Sequence, residues 1–89
     1  MRSSVNEADP AQVALEALAV SLGDDKRAER LLSLTGLTPD DLRERAGESA
    51  VLVAVLRFLE DHEPDLVAVA ATLGRTPEEL VRAREALEQ

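Results

Sequence analysis

Eight residues constrain this chain more than any others. Its four prolines and four glycines all fall where a helix would start or stop. Proline fixes φ and lacks an N–H, so it suits the first helical turn. Glycine tolerates the left-handed conformation in which helices commonly end. Asp9-Pro10 opens a segment that runs to about Leu22, with Gly23 behind it. Asp24 or Asp25 caps a second segment, which ends near Thr35 before Gly36. Thr38-Pro39-Asp40-Asp41 opens a third, with a hydroxyl cap, a first-turn proline and two acids facing the positive helix end. Gly47 closes it, and Ser49 caps a fourth that reaches Asp61 or His62. Pro64 opens a fifth, closed by Gly74, and Thr76-Pro77-Glu78-Glu79 opens a sixth, with Thr76 and Glu79 spaced as a capping box. The expected fold is all-α: a compact bundle of five to six short helices in one domain, residues 10–89, behind a flexible tail, residues 1–9.

One segment admits a strand reading, because Val51, Val53 and Val55 alternate. The apolar run continues through Phe58 and Leu59, however, and Val51, Leu52, Val55, Leu56, Phe58 and Leu59 share one broad helical face. With no second strand candidate to pair with, helix is preferred, and so wide an apolar face predicts a central position. The segment at 10–22 is similar. Leu15, Leu18 and Leu22 form one stripe, while Val13 and Val20 lie on the far side.

A repeat runs through the chain at an offset of 38 residues: Gly36-Leu37-Thr38-Pro39-Asp40-Asp41-Leu42 matches Gly74-Arg75-Thr76-Pro77-Glu78-Glu79-Leu80. The same offset carries Val13 onto Val51, Leu18 onto Leu56 and Val20 onto Phe58. Two readings fit. Either the chain is two three-helix units related by a pseudo-twofold, or one good stop-and-start sequence is used twice.

Composition then closes several functional classes. There is no cysteine, which removes disulfides, thiolate metal sites and cysteine nucleophiles. Met1–Asp9 holds no apolar stretch of the secretory kind, and the longest apolar run, Ala50–Leu56, is far short of the roughly 20 residues that span a bilayer. A cytoplasmic protein is expected, without membrane contact. Phe58 is the only aromatic residue and isoleucine is absent, so the core must be Leu, Val and Ala. Eighteen acids against ten Lys and Arg give a net charge of −8, which repels a polyanion and makes nucleic acid an improbable partner. A chain this short buries only about 60–65% of its unfolded surface, so good packing, a protein partner or a second copy must contribute.

Three constellations invite a functional reading. Val69 to Arg82 has the grammar of a helix–turn–helix, but the turn that would meet DNA is Pro77-Glu78-Glu79, with only Arg75 nearby. Glu60-Asp61-His62-Glu63-Pro64-Asp65 holds the only histidine, yet matches no metal motif. Its acids are better read as complementing the start of the next helix, and His62 the end of the preceding one. An acyl-carrier reading needs a serine in an Asp-Ser-Leu context, and neither Ser21 nor Ser33 has one. No phosphate loop, nucleophile elbow or nucleophile–base pair is present. No catalytic, cofactor-binding or metal-binding residue is therefore assigned, and no cofactor or small-molecule ligand is expected.

From Val13 to Leu87 the chain resembles a small uncharacterised bacterial family of helical proteins, domain of unknown function 3572. The resemblance is carried by Ala14-Leu15-Glu16-Ala17-Leu18, by Leu31 through Arg43, by Val55-Leu56-Arg57-Phe58-Leu59, by Glu63-Pro64-Asp65-Leu66 and by the ending from Gly74. It implies a helical protein of about this length; this chain departs from the family pattern in the second helix, where Ala28 and Leu31-Leu32 stand in place of more aromatic or bulkier residues. It implies no activity and no site residues. Elimination leaves a non-catalytic protein-interaction or self-associating domain, with Val13, Ala17 and Val20 as the expected contact surface. The alternatives are a helix–turn–helix nucleic-acid binder and an acidic decoy that occupies the site of a basic protein.

Overall fold

The computed structural model describes residues 9–89, and the helices follow the punctuation closely. They are α1 (Pro10–Leu22), α2 (Asp25–Thr35), α3 (Pro39–Arg45), α4 (Ser49–Glu60), α5 (Glu63–Leu73) and α6 (Pro77–Leu87). The expected tail lies outside the described residues except for Asp9. That residue belongs to the domain, because its carboxylate accepts the Ala11 N–H at 3.0 Å and caps α1. Asp24, not Asp25, caps α2, through the Arg27 N–H at 2.9 Å. Thr38 with Asp41 and Thr76 with Glu79 form reciprocal capping boxes, each satisfying two N–H groups that a bare helix start would leave orphaned.

Two helix starts differ from expectation. Glu48, not Ser49, holds the cap position of α4, and it makes no side-chain cap. Its carboxylate is instead taken by Arg45, whose Nε donates to it at 3.1 Å. Helix α5 begins one residue before Pro64, with His62 at the cap position. The His62 ring N–H at Nδ1 donates to the Phe58 carbonyl at 3.0 Å, which helps close the end of α4.

The fold is all-α, and one hydrophobic core draws on all six helices. Helix α4 is central, with Val51, Leu52, Val55, Leu56, Phe58 and Leu59 all buried. Leu31 is fully buried in α2. No helix is long and apolar enough to cross a membrane among the described residues.

The repeat is present in three dimensions. Shifted by 38 residues, the bounds of α2 fall on those of α5, and both helices end in a left-handed glycine, Gly36 at φ 78° and Gly74 at φ 69°. Every residue buried in the first half (Val13, Ala14, Ala17, Leu18, Ser21, Leu31 and Leu42) has a buried counterpart in the second. Neighbours also exchange as a twofold relation demands: α1 meets α2 as α4 meets α5, and α1 meets α5 as α4 meets α2. The third helices break the relation. Helix α6 lies across both α1 and α4. Helix α3 has seven residues to its eleven and buries only Leu42.

Candidate functional site

The expected contact surface on α1 is corrected by this packing. Val13 and Ala17 are buried in the core and Val20 is half-buried against it. A helical wheel shows which residues share a side, not how many neighbours a helix has. Helix α1 has α2, α4, α5 and α6 around it, so both of its apolar sides are covered. The stripe read from Leu15, Leu18 and Leu22 separates accordingly, with Leu18 buried and Leu22 left 40% exposed at the end of the helix.

That exposed Leu22 borders an apolar opening. A groove of about 290 Å³ lies between α1, α2 and α3, lined by Leu18, Leu22, Leu32, Pro39, Leu42 and Arg43. The repeat offers a comparison for its lining. The counterparts of Leu18, Leu32 and Leu42 are Leu56, Ala70 and Leu80, all three buried at 1% exposure or less. The counterpart of Leu22 is Glu60, which accepts two hydrogen bonds from Arg84, at 2.8 and 2.9 Å, from the second turn of α6. The counterpart of Arg84 is Ala46, a single methyl group at the end of α3. At these sequence positions the second half carries a two-pronged ion pair between α4 and α6, and the first half carries Leu22 and Ala46.

The length of α3 has a sequence cause. Where α6 continues through Arg84-Glu85-Ala86-Leu87, α3 meets Ala46-Gly47-Glu48-Ser49. Glycine is about 1 kcal/mol worse than alanine in a helix interior. After Gly47 the chain turns at once into α4, with the Glu48 N–H donating to the Arg45 carbonyl at 2.9 Å. The groove was legible as Gly47 against Glu85 and Leu22 against Glu60, had the repeat been followed past its matching heptapeptide.

Charge surrounds the groove unevenly. Exposed Asp24 and Asp25 follow Leu22, and exposed Asp40 follows Pro39. The Arg27 backbone N–H holds the Asp24 carboxyl below the ordinary carboxylate range, and the Thr38 N–H does the same for Asp41. Arg43, the one cation in the lining, is paired on the surface with Asp40.

The other sequence candidates do not converge on a site. In the acidic run, Glu60 is tied to Arg84. Asp65, only 6% exposed, accepts from Arg27 Nε at 2.9 Å and Arg30 Nη2 at 2.6 Å, joining α2 to α5. Among the described residues, no three of His, Asp and Glu gather as they would around a metal ion. In the helix–turn–helix segment, Arg75 is held by Glu16 and Glu79, and Arg84 by Glu60 and Glu88. Ser21 is buried with its hydroxyl donating to the Ala17 carbonyl at 2.8 Å, and Ser33 is exposed.

No curated protein and no solved structure matches this chain. Residues 7–89 match a protein family, and the chain belongs to it: the family described as Protein of unknown function (DUF3572).

Proposed function

We propose that this chain is a non-catalytic protein-interaction domain that takes one helix of a partner protein into the groove between α1, α2 and α3. The observation that carries the proposal is the asymmetry between the halves. Positions equivalent in sequence hold the Arg84–Glu60 pair in one half and an exposed leucine beside an apolar groove in the other. An apolar groove of this width suits the face of an amphipathic helix. The cytoplasm is its proposed place of work.

The nucleic-acid reading ranks lower. The first turn of α6 presents Glu78 and Glu79, and of the arginines flanking it Arg75 is already engaged by Glu16 and Glu79, which leaves exposed Arg82 as a single cation there. An enzyme ranks last, because Glu60 and Asp65 each answer to arginines and His62 to a backbone carbonyl.

Site-specific photocrosslinking tests the proposal. A photoreactive residue placed at position 22 should give an adduct with one partner, mapping to a peptide with apolar residues at helical spacing. The same residue at Val67, exposed on α5, should not. Identical adducts from both positions, or none from position 22, would refute it.

A further inference from the structure

We infer that the occupant of the groove is a basic amphipathic helix, with an apolar stripe of leucine-sized residues flanked by Lys or Arg. The inference rests on the docking reading above and adds the chemistry of the partner. Two observations carry it.

The first is internal. At the equivalent sequence position in the second half, Glu60 holds an arginine: the Arg84 side chain is only 16% exposed, with its guanidinium on that carboxylate. In the first half that position is Leu22, open to an apolar contact, and Asp24 and Asp25 follow it by two and three residues. The second observation is charge. Exposed carboxylates at Asp24, Asp25 and Asp40 adjoin the lining, while the one lining cation, Arg43, is paired with Asp40. A helix with lysines or arginines beside its stripe meets these acids. A second copy of this chain would bring another net charge of −8 instead.

The absent part of α3 sets the scale. Four residues of helix, the difference between α6 and α3, span about 6 Å, so a visiting helix needs only two or three apolar turns to fill the space.

Two synthetic helical peptides of about four turns, identical in their leucine stripe and flanked by either lysine or glutamate, provide the test. Each is titrated into the isotopically labelled chain, with amide NMR shifts mapping the contact and calorimetry giving the affinity. The lysine peptide should shift residues 18–25 and 39–43, and should bind several-fold more weakly when salt rises from about 0.05 to 0.3 M. Asp25→Asn with Asp40→Asn leaves the caps in place and should weaken it about fivefold. Equal or tighter binding of the glutamate peptide would overturn the basic assignment and leave the docking reading standing. No shift in the groove with either peptide would overturn the docking reading itself. A sedimentation dimer whose interface is the groove would replace the partner helix with a second copy.

Discussion

Asp65 shows what a single residue contributes here. Burial pushes its carboxyl up, but the hydrogen bonds from Arg30 and Arg27 outweigh burial and hold it below the ordinary carboxylate value of 3.8. A carboxyl depressed in the folded state stabilises the fold at pH above its unfolded value, and that stability is lost as pH falls toward the folded value. Asp65→Asn should therefore cost about 1–3 kcal/mol at neutral pH and flatten the loss of stability below pH ~4, read from urea unfolding across pH. The Arg30 arm is 44% exposed and so is the more strongly screened by solvent. Glycines offer a second contrast. Gly74 sits at φ 69°, where an L side chain is strained, so Gly74→Ala should cost about 1–2 kcal/mol. Gly47 has no left-handed φ and open space around an added Cβ, so Gly47→Ala should be neutral or stabilising by up to about 1 kcal/mol.

At the scale of elements, helix starts were the most legible feature of the sequence. Thr-Pro-acid-acid satisfies orphan N–H groups, fixes φ and complements the dipole within four residues, so its meaning needs no distant partner. Ser49 was expected to cap α4, but Glu48 holds that position, with its carboxylate on Arg45 across a turn. The Asp65 bonds were invisible because Arg27 and Arg30 meet it only after α2 packs beside α5. Burial on α1 was misjudged for the same reason, since Val13, Ala17 and Val20 look free until α4, α5 and α6 are placed around them. The central role of α4 was legible in its wide apolar face. Leu56→Ala there should cost about 2–5 kcal/mol in chemical denaturation, while Leu34→Ala, at a leucine 60% exposed, should change stability by less than about 0.5 kcal/mol.

At the scale of the whole molecule, one three-helix pattern is used twice and finished differently each time. The second copy extends its third helix over α1 and α4 and fastens it with Arg84 on Glu60. The first stops at Gly47 and leaves Leu22 beside an open apolar groove. Much of the acidity belongs to helix starts, but Asp24, which caps α2, and Asp40, in the first turn of α3, also neighbour residues of that groove along the chain. The most direct test is to remove the exposed apolar part of the groove. Leu22→Gln with Pro39→Ser replaces the two exposed apolar residues of its lining with polar ones. The account predicts unchanged helicity by circular dichroism and a loss of at least about tenfold in affinity for the lysine-flanked peptide, measured by calorimetry. A folded double variant that binds this peptide as tightly as the parent chain would contradict it.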